Sequence, residues 1–181
     1  MSTILLILGT DAHPDSDGEY NRALYTTAQA TLSPNHNILC TDVQNDWSAG
    51  DEADKFMAAD AVIFQFPVFW YMPPARLKAY LDTIYARGVF FGKVKRDGTA
   101  GLMTGHYMLS ATWNAPAAHF GTRQTFFNGS TVDDALISMR KTQEFIGLKP
   151  LPHFHCHEVI SSPDIKRDQA RYRAHLDRVF G

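Results

Sequence analysis

The stretch Ala61-Val-Ile-Phe-Gln-Phe-Pro-Val-Phe-Trp-Tyr-Met-Pro-Pro74, followed by Leu77-Lys78 and Leu81-Asp82, decides how the chain is read. Residues 61–66 are apolar almost throughout, which suits a central parallel strand covered on both faces. Pro67 ends that strand, and Val68, Phe69, Trp70 and Tyr71 follow as a wide aromatic loop. A helix is expected over 73–86, with proline in its first turn, where a missing N–H costs nothing. Leu77, Leu81, Ile84 and Tyr85 form its inner stripe, and Gly88 offers a stop.

The same strand–loop–helix unit recurs on either side. Strands are expected over 4–8, 37–43, 107–112 and 153–160, and helices over 20–32, 51–59 and 132–146. Gly147 ends the helix over 132–146, and Ser162-Pro163 opens a last helix buried through Tyr172, Leu176, Val179 and Phe180. Residues 92–105 are rich in glycine and charge and read as a long loop. Five βα units with right-handed crossovers give an α/β fold, a doubly wound parallel sheet with helices on both faces. The strand order 2-1-3-4-5 is one of two common choices. No repeat or second domain breaks residues 1–181.

Composition narrows the function. The chain has 181 residues, 45% of them hydrophobic, and a net charge of −2. That supports a globular core and gives no electrostatic case for nucleic acid or an anionic membrane. It also argues against a strongly acidic electron shuttle. No segment approaches the roughly 18–20 continuous apolar residues needed to span a bilayer, so no membrane insertion is expected. The run Ile4–Leu8 is too short for a signal-peptide core and lacks a basic leader, so a cytoplasmic location is expected. Cys40 and Cys156 form no spacing motif and read as buried free thiols.

In this architecture a ligand sits beyond the C-terminal ends of strands 1, 3 and 4. The first loop, Gly9 to Arg22, lacks both the G-x-G-x-x-G fingerprint and a Walker A pattern. It does place His13, Ser16, Gly18, Tyr20 and Asn21 at a helix N-terminus, which suits a phosphate; a polar turn with a cap is the alternative. The second loop, Pro67 to Tyr71, exposes aromatic surface that is costly unless it packs on something flat, for which a flavin ring is the first candidate. Core packing or a dimer contact would account for it equally. In the third, Tyr107-Met-Leu-Ser-Ala-Thr-Trp-Asn-Ala-Pro116, backbone N–H groups can meet the polar edge of a ring and Trp113 can flank it; otherwise it is an ordinary β–α turn.

Four blocks carry a resemblance over essentially the whole chain: Pro67-x-x-Trp70…Pro74…Leu77-Lys78…Asp82, residues 107–116, Phe126-Phe127-x-Gly129, and Gly147-Leu-x-Pro-Leu-Pro152. In these the chain resembles the flavodoxin-fold NAD(P)H:quinone oxidoreductases, and the second and fourth blocks resemble one bacterial branch of them. The resemblance implies a flavodoxin-like five-stranded sheet of order 2-1-3-4-5. It implies non-covalent FAD, NAD(P)H as a transient co-substrate, a quinone acceptor, a ping-pong mechanism, and a homodimer with flavin sites at the interface. Residues Ser16 to Ala23 would wrap the cofactor phosphates with His13 nearby. Val68 to Tyr71 would line the ring, and Thr112, Trp113, Asn114 and Ala115 would contact its polar edge. No catalytic side chain is assigned, because the flavin would carry the hydride. Asn128 stands where relatives often carry a histidine implicated in stabilising charge; an amide can donate a hydrogen bond there but takes up no proton. The first loop carries an additional Pro14-Asp15, and the loop over 92–105 is shorter than in the family and lacks a family tyrosine. Two further readings stay open: an ancillary regulatory subunit of a potassium-efflux system, and an FMN electron carrier.

His153, His155 and His157 alternate, so they share one face of the fifth strand while Cys156 points the other way. Residues i and i+4 on a strand lie about 13 Å apart, so the three imidazoles do not converge on one ion. The stripe reads as a polar sheet edge, with no metal.

Overall fold

The computed structural model describes residues 1–14 and 16–181, so Asp15 of the first loop lies outside the described residues. β1 (Thr3–Leu8) runs between β2 (Asn37–Asp42) and β3 (Ala61–Pro67), and β4 (His106–Thr112) lies beyond β3. All pairings are parallel and the order is 2-1-3-4-5, as the resemblance implies. The register sets Leu8 against Gln65, Gln65 against Ser110, and Pro67 against Thr112. Three strand ends are therefore aligned at one edge.

Both faces of the sheet are covered. Leu5, Ile7, Phe64, Phe66, Leu109 and Ala111 pack under α2 (Ala49–Ala58), α3 (Ala75–Ile84) and α5 (Ile137–Ile146). Ile4, Leu6, Ile63 and Met108 pack under α1 (Glu19–Leu32) and α6 (Ile165–Phe180). β3 is buried along its whole length, as a run apolar except for Gln65 requires.

The strand expected over 153–160 is replaced by two short pieces. β5 (Lys149–Pro150) pairs with His106 and Tyr107, and β6 (Phe154–Cys156) pairs with Ser110 to Thr112. Pro150 and Pro152 have no N–H to give to a ladder, which interrupts it. In the gap the Leu109 N–H donates to Nδ1 of His153 at 3.1 Å. An imidazole therefore takes the place of a strand carbonyl. Burial pushes the His153 pKa down to about 4, which keeps that acceptor available.

The helix expected over 132–146 is likewise broken. α4 (Val132–Ala135) opens on a capping box between Thr131 and Asp134, and Leu136 leaves helical geometry at φ −101° and ψ 21° before α5 begins. Gly147 ends α5 at φ 109°, where a Cβ would strike the Met103 carbonyl. α6 starts after Ser162-Pro163 rather than on it. Its cap is Asp164, whose carboxylate accepts from the Arg167 N–H at 3.0 Å.

Candidate active site

The ends of β1, β3 and β4 open on a cleft of about 420 Å³. His13, Ser16, Tyr20 and Asn21 line it from the first loop, Pro67, Val68 and Phe69 from the second, and Thr112 from the third. Val159 and Ile160 close it from the segment after β6.

On the first side, Gly18 occupies the N-cap of α1 at φ 82° and makes no side-chain cap. A Cβ there would press on Thr10 at 3.3 Å, so glycine serves both the turn and the close approach. The Asp17 carboxylate accepts from the Glu19 N–H at 3.0 Å. The N–H groups of Tyr20 and Asn21 meet no acceptor among the described residues. That end of α1 offers free donors and the positive pole of the helix. No Lys or Arg lines the cleft among the described residues, while Asp17 and Glu19 do, so the donors it offers an anion are the backbone N–H groups of the helix end.

The side chains of the first turn have other partners. The Tyr20 hydroxyl donates to the buried Asp168 carboxylate at 2.7 Å, which Arg167 and Arg171 also bind at 3.1 and 2.9 Å. Burial works against the charge of Asp168, yet the hydrogen bonds from Tyr20, Arg167 and Arg171 hold it below the usual carboxylate range. This fixes the start of α1 against α6. Ala23 does not line the cleft; its carbonyl, one turn further along, accepts from the Thr27 hydroxyl at 2.8 Å.

The second side leads into a hairpin tip, whose Trp70 lines the neighbouring groove and whose Tyr71 lies outside the cleft's own lining. Phe69 and Met72 exchange backbone hydrogen bonds of 2.9 and 3.0 Å, with Trp70 at φ 50° and Tyr71 at φ 65° between them. Two consecutive left-handed residues usually call for Asn-Gly, and large side chains there cost roughly 1–3 kcal/mol each. Trp70 is 83% exposed. Tyr71 stacks on Phe126 at 5.7 Å and meets Phe127 edge-on at 5.8 Å. Phe69 sits against the His13 ring at 4.5 Å.

The third side is tethered along its length. The Trp113 N–H donates to the Cys156 carbonyl at 2.9 Å, and the Val159 N–H to the Trp113 carbonyl at 3.1 Å. The Asn114 side-chain oxygen accepts from the N–H groups of Ile160 and Ser161. The Ala115 carbonyl lies 3.0 Å from Nδ1 of His157. The N–H groups of Asn114 and Ala115 stay unpaired among the described residues. The Trp113 ring, expected to flank a ligand, is instead 2% exposed and packs edge-on to Phe120 at 5.1 Å. Alternation along β4 carries its side chain to the core face.

Asn128 is exposed, at φ 47°, in the turn where its N–H donates to Thr125 and the Ser130 N–H to Phe127. Asparagine tolerates that conformation well, which gives the residue a conformational reason to be there.

Sequence reasoning missed a chain of side-chain hydrogen bonds beneath the cleft. Ser110 donates to Gln65 at 2.7 Å, Gln65 to Asn21 at 2.7 Å, and Asn21 to Thr112 at 2.9 Å. All four residues are buried. The available signal was Gln65 itself, an amide inside an otherwise apolar strand. The aromatic support from Phe120 and Phe126 was also missed.

A second groove, about 750 Å³, opens on the other side of Phe69 between α3 and α5. Trp70, Met72, Leu81, Tyr85 and Met139 make it mostly apolar, with the Lys78–Asp82 ion pair on its wall. It shares His13 and Phe69 with the first cleft. Away from both, the rings of His153, His155 and His157 follow one another at 6.4 Å, and no metal-holding cluster occurs among the described residues. Cys40 and Cys156 are free, the first only partly buried.

Comparison with known proteins agrees with this architecture. A family model described as flavodoxin-like fold matches residues 2–178. The NADPH:quinone oxidoreductase MdaB of Haemophilus influenzae is 37% identical over 98% of this chain and 99% of its own. An uncharacterized protein of Schizosaccharomyces pombe is 35% identical over 98% of this chain and 97% of its own. Among solved structures, a putative quinone reductase from Klebsiella pneumoniae superposes with a TM-score of 0.77 at 19% identity, covering 98% of this chain and 84% of that one. General stress protein 14 of Treponema denticola, solved with FMN, superposes with a TM-score of 0.73 at 19% identity, covering 98% and 99%.

Proposed function

The chain belongs to the flavodoxin-like family and stands among its quinone oxidoreductases, and from that premise we propose that it is an NAD(P)H:quinone oxidoreductase working through a non-covalently held flavin. The observation that carries the proposal is the convergence, at one sheet edge, of an uncapped helix N-terminus with two loops that present unpaired N–H groups and an exposed aromatic tip. These residues fit a flavin. The N–H groups of Tyr20 and Asn21 suit its phosphate, those of Asn114 and Ala115 its polar edge, and Trp70 with Tyr71 the flat face. Such a group, bound there, supplies the two-electron exchange between NAD(P)H and a quinone.

The part left to the chain is binding, orientation and exclusion of water. The tethered loop holds its donors in place before any ligand arrives, so little reorganisation accompanies binding. The tip and the apolar groove beside it offer one aromatic-walled space. Nicotinamide and quinone would occupy that space in turn, which is the basis for ping-pong kinetics. The exposed rings of Trp70 and Phe126 favour a homodimer whose second copy covers them. We take the flavin to be FAD on the strength of the resemblance, and the protein to be cytoplasmic; no helix among the described residues is long and apolar enough to cross a membrane.

The test is anaerobic reduction of the flavin-loaded protein by NADH or NADPH, followed by menadione. Bleaching at 450 nm and recovery with menadione, with parallel lines in double-reciprocal plots, is the expected result. Bleaching by neither nicotinamide would move the reading to a one-electron carrier. Extraction identifies the flavin, and FMN in place of FAD would correct the cofactor.

A further inference from the structure

The four buried polar side chains under the cleft form a directed relay. The Ser110 hydroxyl donates to the Gln65 side-chain oxygen, the Gln65 amide donates to the Asn21 oxygen, and the Asn21 amide donates to the Thr112 hydroxyl oxygen. The relay leaves β4 at Ser110, crosses β3 and the first turn of α1, and returns to β4 at Thr112. Ser110 and Thr112 lie two residues apart and share one face of β4.

Thr112 lines the cleft, and its oxygen already accepts a hydrogen bond from Asn21. Its own O–H therefore has no role in the relay and is left to donate elsewhere. Asn21 and Thr112 both line the cleft, so the proton of that hydroxyl can turn toward a ligand there. A hydroxyl alone in a cleft rotates freely between donor and acceptor roles; one whose acceptor side is occupied by an amide presents its proton. In buried surroundings each hydrogen bond of such a chain polarises the next.

We propose that Gln65 is a positioning residue that acts through Asn21 to set the Thr112 hydroxyl as a donor toward the acceptor atoms of a ligand in the cleft. The inference rests on the flavin reading of that cleft and adds the group that fixes one donor of the site. It also gives the lone amide of β3 a role that neither strand pairing nor core packing assigns. Gln65 touches no ligand itself.

The experiment is a double-mutant cycle on FAD affinity, measured by quenching of flavin fluorescence on titrating flavin-free protein, with the variants Gln65→Leu, Thr112→Val and both together. Among the described residues the side chains of Gln65 and Thr112 share no hydrogen bond and are linked through Asn21, so coupling between them reports the relay. Each single change should weaken binding about ten-fold, the equivalent of one lost hydrogen bond, and the double variant no more than either alone. Effects that multiply, or an unchanged affinity in Gln65→Leu, would overturn the proposal. Should Gln65→Leu fail to fold, Ser110→Ala breaks the far end of the relay with little change in volume. It should weaken FAD binding about three-fold while its melting temperature stays within a few degrees of the parent's. Unchanged binding in that variant overturns the proposal equally. Wild-type protein that takes up no flavin overturns this reading together with the cofactor assignment; normal wild-type binding with unaffected variants overturns this reading alone.

Discussion

The loops after β3 and β4 border the same cleft and are built on opposite principles. The β3 loop is a short hairpin tip, with two large aromatics in left-handed geometry, Tyr71 resting on Phe126 and Phe127 and Trp70 largely exposed. The β4 loop is held through Trp113, Asn114, Ala115 and the side chain of Thr112, and its indole is in the core. Strain and exposure in the first go with a surface awaiting a flat partner. The tethers of the second go with donors that must already be in place. One cleft thus has an adaptable wall and a fixed edge.

The comparison breaks most sharply at its two tryptophans. Trp113→Ala should cost about 3–5 kcal/mol of stability, as loss of a fully buried ring does, read by urea unfolding. A Trp113→Ala protein of normal stability with impaired flavin binding would return that ring to the cleft and void the contrast. Trp70→Ala should do the reverse. Its unfolding free energy should stay within about 0.5 kcal/mol of the parent, while flavin affinity falls about ten-fold. Equal affinity in the two proteins would remove Trp70 from the site.

Strain at the tip can be tested more finely. Trp70→Gly should be more stable than Trp70→Ala by about 1 kcal/mol, because glycine enters the left-handed region without steric cost. Equal stability of the two variants would mean that the tip stores no strain.

The smallest effect expected concerns acid. The folded-state pKa of His153, about 4, lies below the unfolded value of about 6.5, so the unfolded chain binds the proton first. Stability from this group is complete above pH 6.5, is lost as pH falls from 6.5 to 4, and changes no further below that. Burial also shifts His157 and His175 downward, so they add in the same direction. Protonation removes the acceptor that His153 offers the Leu109 N–H, so acid should loosen the β4 side and leave the tip untouched. His153→Asn, which keeps an acceptor and cannot titrate, should flatten the slope of melting temperature between pH 6.5 and 4. An unchanged slope would mean that His153 does not report on that edge.

Much of this was legible in the sequence. The nearly continuous apolar run 61–66 specified a central parallel strand, and Gly147 marked the end of a helix, because burial and left-handed geometry leave local traces. The loops that form the cleft could be named from strand ends alone. The fate of individual side chains could not. Trp113 reads as site and lies in the core: it continues the alternation of Tyr107, Leu109 and Ala111, and only the structure shows that this alternation carries past the strand end. Pro150 and Pro152 were visible, but that His153 fills the ladder gap between β5 and β6 depends on a side chain reaching across strands. The relay through Gln65 joins residues 44, 45 and 91 positions apart, and no local pattern records such contacts.

The account depends most on the cleft holding a flavin, and equilibrium titration of the flavin-free protein with FAD, followed by visible absorbance, tests this most directly. It predicts saturation at one flavin per chain, with a structured 450 nm band that Trp70→Ala weakens and that survives gel filtration in the parent protein. A protein that stays colourless with both FAD and FMN would contradict it.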